Sequence, residues 1–299
     1  MLIKKSNKLI VIGGPTASGK TQLAIELAKY YKTEIISFDS RQFYKEMSIG
    51  TAKPTNAQLN EVKHHFIGHI SIHDEYNAGQ FENEAIERMD QLFEKYEYVI
   101  ATGGSGMYLD ALLYGLDELP KVKEGVRDKL MQIHREEGLE TLRIMLKKSD
   151  PEHYNNVDLN NPHRIIRALE IILSTGSTYS ELRKGKRKSR NFDPFLFGVD
   201  LERDFLYTCI NNRVQQMMKA GLLQEVTSLY DNKNLNALQT VGYKELFDHL
   251  DGKTDLESAV KLIQQNTRRF AKRQITWFRR YDEMEWLKPM EAFKRISTL

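Results

Sequence analysis

The chain has 299 residues, 40% of them hydrophobic and 28% charged, and its net charge is only +3. These values are typical of a soluble globular protein with one large domain, or with a core that carries an insertion. The single cysteine, Cys209, excludes an internal disulfide framework and a Cys-rich zinc module. No segment approaches the roughly 20 apolar residues of a membrane span. We therefore expect a cytoplasmic protein without a membrane anchor.

The first recognisable motif is a glycine-rich turn between two predicted elements. Apolar residues 9–12 predict a buried strand, and the spacing of apolar residues over 21–31 predicts a helix. The intervening GPTASGKT fits the G-x-x-x-x-G-K-[ST] pattern of a P-loop, whose N–H groups converge on one anion at a helix N-terminus. The Thr21 hydroxyl suits Mg²⁺ held against phosphate oxygens. The residues expected to bind a polyphosphate are Gly14, Pro15, Thr16, Ala17, Ser18, Gly19, Lys20 and Thr21.

Strands and helices alternate through the first 118 residues. The pattern predicts strands over 8–12, 34–38 and 98–102, and helices over 21–31, over 78–95 and from 107 onward. This order predicts an α/β fold with a P-loop NTPase-like parallel sheet. Ligands of such sheets lie at the carboxyl ends of the strands.

The pattern changes near Leu119. Residues 119–193 show charged helices only, and 194–199 then predict a buried strand that returns to the sheet. Helices are predicted over 204–230, 241–250 and 256–280. We therefore expect a core of residues 1–118 and 194–299 with a helical C-terminus, and a helical insertion domain of residues 119–193.

An acidic residue, Asp39, directly follows the second predicted strand. A carboxylate beside a P-loop can accept a proton from a nucleophile or bind Mg²⁺, and the alternative is a helix N-cap. The third strand ends in TGGS, where a standard P-loop NTPase would have an Asp that helps to hold Mg²⁺, and this argues against ATP hydrolysis. Ser105 in that turn is a candidate phosphate contact, a support for Asp39 or a helix cap.

Four histidines lie within ten residues, at positions 64, 65, 69 and 73. A metal site would need convergent geometry and further ligands. Residues 65–73 instead alternate histidine with apolar residues, which favours a half-buried strand. We therefore expect no metal at these histidines.

The last long predicted helix carries what we call the basic stripe. Its members lie at i, i+1, i+4 and i+5, so they share a face, and residues 261–280 contain no acidic residue. RNA backbone is the simplest partner for this stripe, and a solvated surface is the alternative. The basic cluster at 183–190 leaves the same two interpretations open. The basic stripe consists of Arg268, Arg269, Lys272 and Arg273.

With these motifs the chain resembles the tRNA dimethylallyltransferases, or isopentenyl-tRNA transferases, over most of its length. The long block at 39–54 and KRQITWFR are the specific signals, and the lack of a Cys-rich tail indicates the bacterial type without a zinc finger. The matching segments are GPTASGKT (14–21), DSRQFYKEMSIGTAKP (39–54), HHFI (64–67), GGSGMY (103–108), PHRIIRALE (162–170), AGLLQEV (220–226), TVGYKEL (240–246) and KRQITWFR (272–279).

The resemblance implies a reaction. A dimethylallyl group passes from dimethylallyl diphosphate to the exocyclic N6 amine of the adenosine 3′-adjacent to the tRNA anticodon, and pyrophosphate leaves. The target base must be splayed out of its loop to react. The resemblance implies that the P-loop holds the diphosphate with Mg²⁺, that Asp39 is the general base, and that Arg213 lies near the pyrophosphate. Ser105 stands where the family usually has Thr.

The resemblance also implies that the helical insertion grips the anticodon stem-loop. Phe38 and Phe43 are bulkier than the residues usual at their positions, which leaves the shape of the pocket open. We expect a monomer. The implied tRNA-binding residues are Asp39, Ser40, Arg41, Gln42, Ser105, Arg127, His163, Arg164, Ile165, Ile166 and Arg167, to which the charge pattern adds Arg268, Arg269, Lys272 and Arg273.

Three other functions compete with this one. A small-molecule kinase that binds ATP would also place an acid after the second strand, but it leaves the basic segments unexplained. An adenylate isopentenyltransferase needs no grip on RNA. A non-catalytic RNA-binding protein with a vestigial P-loop is disfavoured by the intact Lys20, Thr21 and Asp39.

Overall fold

The computed structural model describes residues 7–299, and its centre is a six-stranded sheet in which every pair of neighbours is parallel. The spatial order is β3-β2-β4-β1-β5-β6. The predicted α/β fold with a parallel sheet is confirmed, and residues 1–6 of the expected core lie outside the described residues. The strands are β1 (Lys8–Gly13), β2 (Ile35–Ser37), β3 (His64–His65), β4 (Tyr98–Thr102), β5 (Asp193–Val199) and β6 (Glu285–Leu287).

Helices cover the sheet, and helices with their connecting loops make up the rest of the described chain. Within residues 7–299, none of them combines the length and the apolar character needed to cross a bilayer. Two short 3₁₀ helices are Tyr230–Asn232 and Asn236–Leu238. The α-helices are α1 (Lys20–Tyr31), α2 (Asn56–Glu61), α3 (Ala78–Phe93), α4 (Gly106–Tyr114), α5 (Val126–Glu137), α6 (Leu139–Ser149), α7 (Pro151–Asn156), α8 (Pro162–Thr175), α9 (Tyr179–Leu182), α10 (Arg203–Lys219), α11 (Leu222–Ser228), α12 (Tyr243–Leu250), α13 (Leu256–Phe278) and α14 (Pro289–Ile296).

The described residues divide into two compact units. One contains the residues up to Leu113 together with Ser189–Leu299, and the other is Tyr114–Lys188. Both boundaries fall five residues before the expected ones at 119 and 193. The ends of the second unit contact each other, since the Lys188 N–H donates to the Tyr114 carbonyl at 2.7 Å and the Arg187 guanidinium lies 4.1 Å from the centre of the Tyr114 ring.

The second unit has its own hydrophobic core, formed mainly by α5, α6 and α8. Ile165 and Ile166 are 0% and 1% exposed there, packed with Leu130, Leu142 and Leu146. The expectation that these two isoleucines touch tRNA is therefore wrong, because the apolar face of α8 points into the core. The exposed side chains of α8 include His163, Arg164 and Arg167.

Two predicted elements differ from the observed ones, and one observed strand was not predicted. The helix expected over 204–230 is broken into α10 and α11 at Gly221, whose φ is 100°. The strand expected over 65–73 ends at His65, because Phe66 takes a left-handed φ of 63°. The sequence also failed to predict β6, which adds a parallel edge strand beside β5.

Candidate functional site

The P-loop joins β1 to α1 over residues 14–21. Between the two elements, Gly14, Ala17 and Gly19 have φ values of 133°, 64° and 86°. Glycine adopts this region readily, whereas alanine does so only when the surrounding structure imposes it. Turns of this kind direct successive N–H groups into one concavity. The segment therefore has the geometry of an anion cradle at the N-terminus of α1.

The P-loop lines a cavity of about 190 Å³, which we call the P-loop cavity. Ser37 and Thr102, the last residues of β2 and β4, also line it, so the cavity lies at the carboxyl ends of the strands as expected. Sequence reasoning missed these two residues. Other lining residues are Thr16, Ala17, Ser18, Gly19, Lys20, Thr21, Asp39, Gln42, Thr51, Ala52, His64, Arg213 and Gln274.

Two cationic side chains, Lys20 and Arg213, face the P-loop cavity. Lys20 Nζ donates to the Pro15 carbonyl, and burial together with the neighbouring Arg213 lowers the pKa of Lys20 to about 7. Burial also lowers the pKa of Arg213, whose Nη1 donates to Thr16 Oγ1 at 3.3 Å. The positive charges of the two side chains repel each other, and a bound anion would remove that cost. The electrostatics therefore favour a polyphosphate.

Asp39 lies two residues beyond the end of β2. Burial raises the pKa of its carboxyl group, while the Arg41 N–H, which donates to Asp39 Oδ1 at 3.3 Å, opposes that shift. Asp39 begins a hydrogen-bonded turn with Gln42 and precedes no helix, so the N-cap interpretation is wrong. A carboxylate with a raised pKa is a stronger proton acceptor when ionised, as a general base requires.

A second cavity of about 560 Å³, which we call the apolar cavity, adjoins the first. Thr16, Asp39, Arg213 and Gln274 line both cavities. Asp39 therefore lies where a ligand held by the P-loop would meet a ligand held in the apolar cavity. Its apolar lining includes Met107, Tyr108, Ile210, Val214, Met217, Leu222, Val241, Ile263, Phe270 and Trp277.

Ser105 lines the apolar cavity but does not bond to Asp39. Its hydroxyl accepts from the Ser40 N–H at 3.0 Å and lies 2.9 Å from the Ser40 hydroxyl. It therefore fixes the residue that follows Asp39 and ties the turn after β4 to the turn after β2. Its carbonyl accepts from the N–H groups of Tyr108 and Leu109 at the start of α4.

Arg41 and Gln42 make contacts within the protein. Arg41 Nη1 donates to the carbonyls of Asn236 and Ala237 at 3.0 and 2.8 Å. Gln42 Nε2 donates to the carbonyls of Thr51 and Ala52 at 3.2 and 3.1 Å. Both side chains thus shape the cavity walls, Arg41 on the apolar cavity and Gln42 on the P-loop cavity.

The basic stripe on α13 has no ion pair with a carboxylate of residues 7–299. Arg268 Nη1 donates to Asn211 Oδ1 at 2.7 Å, and Arg269 Nη1 donates to Asn266 Oδ1 at 3.3 Å. Arg269, Lys272 and Arg273 are exposed, and Arg273 also lines the apolar cavity. The uncompensated charge fits an external polyanion.

In the second unit a buried carboxylate holds two of the predicted tRNA-binding arginines. Glu170 pairs with Arg127 at 2.9 Å and with Arg167 at 3.4 Å, and both guanidiniums are about half exposed. His163 and Arg164, near the start of α8, are exposed as well. These four side chains are thus accessible on the surface of the unit, unlike Ile165 and Ile166.

The clustered histidines have separate environments. His64 Nδ1 lies 2.8 Å from the Val62 carbonyl, His65 Nε2 lies 2.6 Å from Glu34, and the ring of His69 packs edge-on against Phe43. Throughout the described part of the chain, no group of three His, Cys, Asp or Glu side chains is placed to hold a metal ion.

Comparison with known proteins identifies the family. A family model described as IPP transferase matches residues 42–281. The chain belongs to the IPP transferase family. It is 50% identical to a tRNA dimethylallyltransferase of Christiangramia forsetii over 291 residues, or 97% of this chain and 96% of the relative. It is 46% identical to tRNA dimethylallyltransferase 1 of Bacteroides fragilis, with 97% of each chain covered.

Solved structures of transferases with similar names resemble this chain in fold and sequence. The tRNA isopentenylpyrophosphate transferase of Bacillus halodurans is 34% identical with a TM-score of 0.72, over 98% of this chain and 95% of the other. A eukaryotic dimethylallyltransferase crystallised while acting on tRNA is 28% identical with a TM-score of 0.74, over 97% of this chain and 72% of the other. The predicted resemblance and the P-loop NTPase-like fold are thus confirmed, and the kinase interpretation is not favoured.

Proposed function

We propose that this IPP transferase family member transfers the dimethylallyl group of dimethylallyl diphosphate to the exocyclic N6 amine of the adenosine 3′-adjacent to the anticodon in tRNA. The observation that best supports this proposal is the position of Asp39, which lines both the cationic P-loop cavity and the wide apolar cavity. Relatives with this fold are named tRNA dimethylallyltransferases, which supports tRNA as the acceptor.

The P-loop cavity suits the diphosphate. Its cradle of N–H groups, Lys20 and Arg213 supply donors and positive charge. Negative charge on the diphosphate grows as the allylic C–O bond breaks, so these groups stabilise the transition state more than the ground state. The dimethylallyl group then extends toward the apolar cavity, where Met217 and Trp277 are among the side chains that can cover it.

Asp39 is the proposed general base. The adenine N6 nitrogen forms a bond to the allylic carbon, the carbon–oxygen bond to the diphosphate breaks, and pyrophosphate leaves with the electron pair. The N6 proton passes to the Asp39 carboxylate. A base is needed because the lone pair of the amine is delocalised into the ring, and a positioned base contributes roughly 10²–10⁴ in rate. Ser105 supports this arrangement through Ser40.

The donors in the P-loop cavity also fit Mg²⁺. The Thr21 hydroxyl and the Asp39 carboxylate provide oxygen atoms on the wall of the P-loop cavity. Mg²⁺ prefers such ligands and commonly binds through one or two carboxylates together with substrate phosphates. We propose that Thr21 helps to hold the ion, which neutralises charge on the diphosphate when it is bound.

The tRNA anticodon stem-loop is the proposed partner of two charged surfaces. One surface, in the second unit, carries Arg127, His163, Arg164 and Arg167, and the other is the basic stripe on α13. Phosphate contacts from such side chains position an RNA without reading its sequence. We propose a cytoplasmic monomer that binds one stem-loop and draws a splayed base into the apolar cavity.

One assay tests the proposal against its competitors. The protein is incubated with labelled dimethylallyl diphosphate and tRNA, AMP or no acceptor. We expect label in tRNA that depends on the target adenosine. Labelled AMP would instead indicate an adenylate isopentenyltransferase. Consumption of ATP in a parallel incubation, with no transfer of label to tRNA or AMP, would favour the kinase.

A further inference from the structure

Gln274 on α13 joins the P-loop to the turn after β4. The side chain is 5% exposed. Its Oε1 accepts from the Thr16 N–H at 2.8 Å, and its Nε2 donates to the Gly104 carbonyl at 2.9 Å. Because one partner is a donor and the other an acceptor, the amide has a single orientation, and a carboxylate of the same length could satisfy only one of the two.

The structure around Gln274 is built for this contact. A Cβ atom at Gly104 would lie 2.2 Å from Gln274 Nε2 and 3.5 Å from Asp39 Oδ2. A side chain at position 104 would therefore displace the amide. Gln274, Gly104 and Asp39 meet on the boundary between the two cavities.

The contact changes what the P-loop can offer to phosphate. The N–H groups of a P-loop are its main phosphate ligands. The Thr16 N–H is occupied by Gln274, and the Thr16 hydroxyl is held by Arg213, so the free part of the cradle begins at Ala17.

We infer that Gln274 is a specificity-determining residue that limits the P-loop cradle to two phosphates. It withholds the Thr16 N–H at the point where a third phosphate would follow the second. An uncharged allylic carbon suits the same point, because it needs no donor there. This inference deepens the proposed function and rests on it for the identity of the diphosphate substrate.

The test compares inorganic pyrophosphate with inorganic tripolyphosphate, with both dissociation constants measured by calorimetry in one magnesium-containing buffer. In Gln274→Ala the Thr16 N–H becomes available, and we expect affinity for tripolyphosphate relative to pyrophosphate to rise about tenfold, as one hydrogen bond to a charged group supplies. The matched control is Gln264→Ala. Gln264 lies on the same helix, donates to the Asn211 carbonyl at 3.5 Å and lines neither cavity.

An unchanged ratio in a folded Gln274→Ala protein, with thermal unfolding as the check, would overturn the inference. If that variant does not fold, Gln274→Glu preserves the volume and adds negative charge at the boundary. It should weaken tripolyphosphate binding more than pyrophosphate binding, and equal weakening would also refute the assignment. Failure of the wild-type protein to label tRNA would count against the proposed function alone, because the binding ratio does not depend on transfer.

Discussion

The Tyr243 hydroxyl donates a 2.6 Å hydrogen bond to the Glu225 carboxylate, which also accepts from the three N–H groups of residues 48–50 at 2.8–3.0 Å. Residues 51 and 52, which follow directly, line both cavities. The Tyr243 ring also leaves no room for a side chain at Gly50. Glu225 of the AGLLQEV motif and Tyr243 of the TVGYKEL motif line neither cavity, yet they hold the segment that forms this wall.

We predict that Glu225→Gln destabilises the fold and loosens this wall. The amide cannot accept four hydrogen bonds, so the exposed or partly buried N–H groups of residues 48–50 lose a charged acceptor, and the free energy of unfolding should fall by about 1–3 kcal/mol. The Michaelis constants for both substrates should rise together. Urea unfolding and steady-state kinetics measure the two effects. Glu257→Gln, at an exposed ion pair on α13, is the control. Equal stability of the two variants would contradict the prediction.

The P-loop and Asp39 could be predicted because the sequence patterns that indicate them lie close together in the chain. An apolar strand, a glycine-rich turn and an amphipathic helix are consecutive in the chain, and a parallel sheet brings the ends of its strands together. The Gln274 contact with Thr16 could not be predicted in this way, because it spans 258 residues. The KRQITWFR motif marked the segment but did not reveal its partner.

The wrong predictions also have physical causes. Ile165 and Ile166 belong to a motif that resembles a tRNA-binding segment, but the helical periodicity of α8 places them on its buried face. The histidines after His65 show a strand-like alternation, yet the left-handed Phe66 ends the strand. In both cases the packing of the folded protein, and not the local sequence pattern, decided which side chains are buried and where the strand ends.

The Asp39→Asn variant tests whether Asp39 is the general base. The substitution keeps the shape of the side chain but removes its capacity to take a proton, so turnover should fall by about 10²–10⁴. The dissociation constant for tRNA should change little. Single-turnover transfer and a filter-binding assay measure the two quantities. Asp74→Asn, which alters an exposed turn, should transfer at the wild-type rate. Turnover near normal for Asp39→Asn would remove Asp39 from the mechanism.

Binding of dimethylallyl diphosphate should depend on the titration of Lys20. Burial and Arg213 lower the pKa of this amine to about 7, so above pH 7 it is mainly neutral before the ligand binds. A bound diphosphate favours the charged form and raises that pKa, so proton uptake accompanies binding and affinity falls as the pH rises above about 7. Calorimetry at pH 8 in buffers of different ionisation enthalpy should detect the uptake.

Lys20→Arg is the control for this pH dependence, because a guanidinium stays charged throughout the range. Its affinity for the diphosphate should be flat between pH 7 and 9, even if it is weaker overall. Wild-type binding that is independent of pH would contradict the role of Lys20.

The turnover number of the wild-type protein should also fall when the pH is lowered, because protonation of Asp39 removes the base. Burial raises the pKa of Asp39, so this fall should begin at a pH above the usual range of a carboxyl group.

Docking of tRNA should depend on salt through the basic stripe. Arg269 and Lys272 are exposed and form no ion pair within residues 7–299, so they are free to neutralise phosphates. Each contact releases counterions, and the double variant Arg269→Ala, Lys272→Ala should reduce the slope of log affinity against log salt by about one to two units. The loss should be similar for every tRNA substrate, because phosphate contacts carry no sequence information. Lys261→Ala, on the same helix but paired with Glu257, should leave the slope unchanged. An unchanged slope in the double variant, together with a lower thermal stability, would mean that the stripe supports the fold and does not bind RNA.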